Sequence, residues 1–188
     1  MKATTKKTTT KKTTTKKAPT KKVTVKKEVA INPNLPKVGQ KAPAFSLLNQ
    51  DGKKVSLKDF KGKNVVVYFY PRALTPGCTV QACSLSDVKK ELAKLDIVVL
   101  GISADPVAKL KQFEEKKNLN FDLLSDEDHS VCEAYGSWGL KKFMGREFMG
   151  ILRQSFFIGR DGKILHVMTK VNTKSHHDEV INFFKNLE

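Results

Sequence analysis

Tyr70-Pro71-Arg72-Ala73-Leu74-Thr75-Pro76-Gly77-Cys78-Thr79-Val80-Gln81 decides how this chain is read: a run of β-branched and aromatic residues, 64–70, leads into it, and a helix leads out with a cysteine in its first turn. The run reads as a buried strand. Thr75 suits the N-cap of the helix and Pro76 its first position, where a missing amide hydrogen costs nothing. Cys78 then takes the third helical position. The first amides of a helix lack internal partners and add to the backbone dipole, so positive charge collects where this sulfur lies and the thiolate is favoured over the thiol.

Downstream, Cys78 is in register with Leu85, Val88, Leu92 and Leu95, the spacing of a core-facing stripe, so its sulfur should face inward. Cys83 follows five residues later, ~140° around the helix, with its Cα roughly 8 to 9 Å from that of Cys78. A disulfide needs a Cα separation under about 7 Å, so a bond between the two requires the first turns of the helix to unwind. Spacing alone leaves Cys83 equally readable as a small buried apolar residue.

Pro71-x-x-x-Thr75-x-x-Cys78 with Cys83 beyond it resembles the active site of the peroxiredoxins, specifically the bacterioferritin-comigratory or peroxiredoxin Q type. The resemblance runs from about Leu35 to the end of the chain and takes in Leu123-Leu124-Ser125-Asp126, Phe143-Met144-Gly145 and His176-His177-Asp178. It implies that Cys78 is the peroxidatic cysteine, attacking the O–O bond, and Cys83 the resolving cysteine. It also implies that Thr75 and Arg153 hold the thiolate and the peroxide oxygens, and that Pro71 walls the pocket from solvent. Thioredoxin or a similar dithiol protein is the implied reductant, hydrogen peroxide and organic hydroperoxides the substrates, and a monomer the implied state. No cofactor and no metal are required.

These roles fit the chemistry. The nucleophile must be ionised and the departing oxygen met by fixed donors, which helix amides and a guanidinium supply. A second thiol traps sulfenic acid as a disulfide before it is oxidised further. The hydroxyl of Thr75 can donate to peroxide or thiolate, or accept from the amide of Cys78. Arg72, Arg146 and Arg160 are equally good cations by composition, and only the resemblance singles out Arg153. Cys132, in a short helical pattern after the capping-box-like Ser125-x-x-Asp128, reads as a core residue. His176 and His177 point about 100° apart on a helix and read as surface residues at the start of the last helix, not as a metal pair. Nothing supplies a zinc ligand set.

Two rival readings explain less. A dithiol oxidoreductase would be expected to carry Cys-x-x-Cys, whereas four residues separate these thiols. A nucleic-acid-binding structural protein accounts for the basic amino-terminal segment and leaves the body without a purpose.

The chain has 188 residues, and about 150 of them have ordinary apolar content, enough for one core. Residues 1–34 are a different material: lysine pairs at 6–7, 11–12, 16–17, 21–22 and 26–27 alternate mostly with threonine. A period of five matches neither helix nor strand, and a segment so poor in apolar residues cannot offset the entropy of ordering, so a disordered tail on a 35–188 domain is expected. Eleven lysines against Glu28 give the tail +10, and the 24 basic and 18 acidic residues of the remainder give +6. Residues 2–27 should therefore bind nucleic acid or another polyanion non-specifically, with affinity falling as salt rises. Without aromatic platforms or a recognition helix they read no bases. The absence of a secretory pattern and of any apolar string near ~18 residues predicts no membrane span and a reducing, cytoplasmic location, nucleoid- or DNA-associated through the tail.

The order of elements is legible past Leu35. A hairpin turns at Asp51-Gly52, and strand 64–70 and helix 76–95 follow, then strand 97–103 and a helix opened by Asp105-Pro106 with Val107, Leu110 and Phe113 inward. A short strand near 121–124 and the Cys132 helix come next. Residues 139–150 read as a loop over the active-site pocket, 155–158 and 163–168 as an antiparallel pair, and Ser175-x-x-Asp178 as the cap of a final helix. This order predicts an α/β fold, a mixed central sheet with helices on both faces, which the resemblance identifies as thioredoxin-like.

Overall fold

Strand β3 (Asn64–Phe69) sorts the core into two layers. Successive side chains of an extended strand point to opposite faces. Val66, Tyr68 and the following Tyr70 enter one apolar cluster, while Val65, Val67 and Phe69 enter the other. The structure, a computed structural model, describes residues 1, 2, 34–143 and 145–187. The expectation of a disordered tail falls on residues 3–33, outside the described residues.

β3 pairs in parallel with β4 (Ile97–Ser103) and antiparallel with β8 (Gln154–Ile158). The full sheet runs β2 (Lys54–Ser56), β1 (Ser46–Asn49), β5 (Asp122–Ser125), β4, β3, β8, β9 (Ile164–Met168). Four helices, α1 (Pro76–Asp87), α2 (Lys89–Lys94), α3 (Val107–Lys117) and α5 (His176–Lys185), cover the Tyr68 face through Leu85, Leu92, Leu110, Phe113, Val180 and Phe184. The opposite face packs on α4 (Ser130–Ala134), Phe45 and Tyr135. Helices therefore lie on both faces of a mixed sheet, as the order of elements predicts.

Four local expectations need correction. Helix 76–95 is two helices broken at Val88 (φ −92°, ψ 15°): the carbonyl of Ser86, which a continuous helix would offer to Lys90, accepts the side-chain amide of Asn120 at 2.9 Å. Segment 139–150 is not a loop but a hairpin of β6 (Trp138–Phe143) and β7 (Arg146–Ile151), a two-stranded sheet of its own. Its alternation is hidden because Leu140, Phe148 and Met149 are exposed.

Ser125 and Asp128 form no capping box on α4, although the Asp128 carboxylate accepts from the amide of Ser130, the first helical residue, at 3.0 Å. The chain reverses at His129 (φ 63°), so Asp126 lies over the helix start and accepts from the amides of Val131 at 3.1 Å and Cys132 at 2.7 Å. Ser175 is the N-cap of α5, but its hydroxyl donates to the Glu179 carboxylate, one turn on, and does not accept from the Asp178 amide. In α3, Leu110 and Phe113 are buried and Val107 only half-buried.

Candidate active site

The carboxyl end of β3 passes through Tyr70 into a short loop and then α1. The loop is held from below: the amide of Ala73 donates to the Asp105 carboxylate at 2.6 Å, which also receives the hydroxyl of Ser103 at 3.0 Å and the ammonium of Lys109 at 2.6 Å. Leu74 adopts a left-handed backbone (φ 66°), a conformation costing a non-glycine residue about 1–2 kcal/mol, so the loop is drawn into shape by its contacts. The sequence pattern marks Asp105 only as the opener of a helix, because its bond to Ala73 spans 32 positions.

Thr75 is the N-cap of α1, Pro76 the first helical residue and Cys78 the third, as read. The hydroxyl of Thr75 does not accept from the helix amides: it donates to the carbonyl of Arg72 at 2.9 Å and closes the loop on itself. Cys78 is 1% exposed. Cys83 is half-buried in the same unbroken helix, and both thiols are free.

Arg153 reaches Cys78 because of strand register. Phe69, at the end of β3, faces Gln154, at the start of the antiparallel β8, so residue 153 stands where the chain leaves β3 for the loop. Its Nη2 donates to the Cys78 sulfur at 3.2 Å, and its Nη1 donates to Oε1 of Gln81. Arg72 and Arg146 are exposed, and Arg160 faces Asp96 at 3.9 Å. The sulfur thus meets a guanidinium and the first turn of a helix, which supply fixed donors to a departing oxygen.

Gln81 lies one turn beyond Cys78 on the same face of α1 and is fully buried. Its Nε2 is 3.1 Å from Nδ1 of His176, whose Nε2 is 2.9 Å from the hydroxyl of Ser155. The expectation of a surface His176 is therefore wrong, since the residue is 0% exposed. α5 packs against α1, and His176, Val180 and Phe184 recur at helical spacing along its buried face; that periodicity was the available signal. Burial first, then the charges of Arg153 and His177, push the His176 imidazole down from 6.5 to about 3, so it is neutral. Cys132 is buried in the second core layer, where desolvation and then Asp126 push its thiol up, away from reactivity.

Pro71 is half-buried and lines a cleft of about 480 Å³ with Arg72, Trp138, Lys141, Phe148 and Met149, so the hairpin does form a wall beside the loop. Cys78 is not among the lining residues. Lys141 donates to the carbonyl of Ile151 at 2.9 Å, and burial, then Arg153, lowers its pKa while Cys78 opposes. Another cleft, about 330 Å³, lies near the opposite end of β3 between Lys41, Leu57, Phe60 and Gly162 and holds none of these groups.

Residues 38–167 match the AhpC/TSA family. The putative peroxiredoxin Bcp of Haemophilus influenzae is 59% identical over 150 residues, 80% of this chain and 97% of that protein. Peroxiredoxin Bcp of Escherichia coli is 58% identical over 149 residues, 79% of this chain and 96% of that one. Among solved structures, peroxidoxin BcpB of Mycobacterium tuberculosis is similar at a TM-score of 0.72 and 32% identity, covering 81% of this chain and 99% of its own. The Xanthomonas campestris bacterioferritin comigratory protein, whose alkyl peroxide reduction was studied through trapped intermediate and ligand complexes, is similar at 0.75 and 28%, covering 80% and 99%.

Proposed function

Because this chain belongs to the AhpC/TSA family and is a thioredoxin-fold thiol peroxidase of the Bcp, or peroxiredoxin Q, type, we propose that Cys78 is its peroxidatic cysteine and Cys83 its resolving cysteine. The observation that carries this reading is the buried Cys78 sulfur, at the third position of a helix, receiving a hydrogen bond from Arg153 at 3.2 Å.

In the first step the Cys78 thiolate attacks the terminal oxygen of ROOH. An S–O bond forms, the O–O bond breaks, sulfur is oxidised by two electrons, and RO⁻ leaves and takes a proton. Arg153 and the helix amides stabilise the negative charge as it moves from sulfur to the leaving oxygen. Pro71 and the loop closed by Thr75 keep the sulfur out of bulk water. In the second step the Cys83 thiol gives up its proton and its sulfur attacks the sulfenic sulfur; the S–O bond breaks, the leaving hydroxide takes that proton and departs as water, and a disulfide forms between Cys78 and Cys83. An external dithiol protein of the thioredoxin kind then reduces it by thiol–disulfide exchange. Substrates are hydrogen peroxide and organic hydroperoxides, the working form is a monomer, and the compartment is reducing, as in the cytoplasm. No helix of the described residues is long and apolar enough to cross a membrane.

Mass mapping of disulfides after a stopped peroxide reaction tests this reading on the parent chain and on Cys78→Ser, Cys83→Ser and Cys132→Ser. A 78–83 bond in the parent and in Cys132→Ser, absent from the other two, is expected. A bond to Cys132, or peroxide consumption that survives Cys78→Ser, overturns it.

Residues 2–27, with eleven lysines and no acidic residue, support a second and separable reading, in which the segment tethers the peroxidase to polyanions such as DNA. A salt-titrated DNA shift assay should show binding by the full chain that weakens steeply with salt and is lost from a chain beginning at Leu35. Equal behaviour of the two removes the proposal.

A further inference from the structure

We propose that His176 is a positioning residue for the peroxidase reaction: a neutral imidazole carrying its proton on Nε2, it orients the side-chain amide of Gln81 so that Gln81 holds Arg153 against Cys78. The inference rests on Cys78 being the reacting thiol.

Donor and acceptor chemistry fixes every member of the chain. A guanidinium only donates, so the Gln81 atom facing Nη1 of Arg153 must be its carbonyl oxygen. The amide NH₂ of Gln81 therefore faces His176, and because it only donates, Nδ1 of His176 must accept and carry no proton. The single proton of the neutral ring is left on Nε2, where it donates to the Ser155 hydroxyl at 2.9 Å. One arrangement satisfies all four groups. It links α1, the segment before β8, β8 itself and the first residue of α5, with Gln81 and His176 lying 95 positions apart in sequence.

Replacing the imidazole by a group that cannot accept removes the reason for the amide to point as it does. Gln81, fully buried, would gain by rotating its NH₂ away from an apolar surface, and that rotation presents a donor to the guanidinium. Arg153 would then be displaced from the sulfur it contacts at 3.2 Å. His176 touches neither sulfur nor substrate, and its whole effect passes through Gln81 and Arg153.

The test sets hydrogen bonding against packing in the full-length reduced protein. His176→Phe fills the site but accepts nothing; His176→Asn leaves space but puts an oxygen near the position of Nδ1. The readouts are the second-order rate constant with hydrogen peroxide, the thiolate absorbance at neutral pH, and the melting temperature. We expect His176→Phe to slow the reaction on the order of 10- to 100-fold with reduced thiolate absorbance, as misplacement of a catalytic group does. His176→Asn should recover most of the rate even where its melting temperature is the lower of the two. Rates that follow packing, with Phe at or above Asn, overturn the proposal.

Gln81→Glu supplies a second check, because a carboxylate offers Arg153 an acceptor in either orientation. His176→Phe should then cost little beyond Gln81→Glu alone, and an undiminished cost overturns the coupling. Should the position-176 variants fail to fold, Ser155→Ala, which removes the acceptor of the Nε2 proton, should lower the rate about threefold through the same chain, and an unchanged rate counts against it. If wild-type peroxide consumption survives Cys78→Ser, it is the assignment of Cys78 that fails, independently of His176.

Discussion

Arg153 donates to the sulfur of Cys78 at 3.2 Å across 75 residues of sequence, because the antiparallel register of β3 and β8 sets Gln154 opposite Phe69. Arg153 immediately precedes β8 and Cys78 lies in the first turn of α1, just beyond β3, so the guanidinium is in place before any substrate arrives. Arg153→Met should lower the rate constant with hydrogen peroxide by about 10²–10³, the usual cost of one lost donor at a developing anion, while leaving the fold intact. Stopped-flow kinetics beside a thermal melt measures both, and a loss under threefold would refute the role.

Cys78 and Cys83 share one unbroken helix, α1. Helical geometry holds their Cα atoms roughly 8 to 9 Å apart, beyond the reach of about 7 Å that a disulfide allows. One equivalent of peroxide should therefore reduce the far-ultraviolet helix signal of the parent chain by about two turns, and dithiothreitol should restore it. Cys83→Ser should stay helical throughout the same treatment.

Asp105 ties the loop before the helix to the end of β4 through the Ala73 amide and the Ser103 hydroxyl. Asp105→Ala leaves a buried amide unpaired and releases the left-handed backbone of Leu74. We expect a stability loss of about 1–3 kcal/mol in urea titrations, together with slower peroxide reduction. Full activity in a folded variant would show that the loop holds its shape unaided.

His176 stays neutral in the fold because burial, then Arg153 and His177, lower its imidazole from 6.5 to about 3. As pH falls below about 6.5 the unfolded chain takes up a proton that the folded chain refuses, so this contribution to stability is complete above that pH and is lost progressively toward pH 3. The slope should approach about 1.4 kcal/mol per pH unit in that window, and His176→Asn should flatten it. Chemical denaturation from pH 7 to 4 reads the difference directly.

Gly101 lies opposite Tyr68 in the parallel pairing of β3 and β4, and a Cβ there would come within 2.8 Å of the buried phenol ring. Gly101→Ala should destabilise the protein by about 1–3 kcal/mol, an overpacking cost that the immobile ring cannot relieve. Gly77→Ala makes a useful contrast, since its Cβ would meet Arg153 and Thr173 at ordinary contact distances of 3.6 and 3.9 Å. Its effect on the melting temperature should be small.

Much of this fold was legible from residue spacing. β3 and β4 alternate or run apolar over their whole length, and strand 97–103 and the turn at Asp161-Gly162 stand where they were read. Thr75, Pro76 and Cys78 took their helical positions from rules that act within one turn. What was misread depended on partners elsewhere. At the break by Val88 the Ser86 carbonyl bonds the distant Asn120, the cap of α4 depends on the reversal at His129, and the hairpin over 138–151 stands on its own sheet with Leu140, Phe148 and Met149 exposed.

The sequence by itself determined that a cysteine would sit in the first turn of a helix after a buried strand, because helix-terminus preferences and strand periodicity are set by neighbouring residues. Only the tertiary structure decided which of several arginines meets that sulfur, that Thr75 closes its own loop, and that Gln81 and His176 stand behind Arg153. Those choices follow from strand register and from the packing of α5 on α1. Contacts across 75 and 95 residues are selected by how whole elements bury their apolar faces together, and no local pattern carries that information.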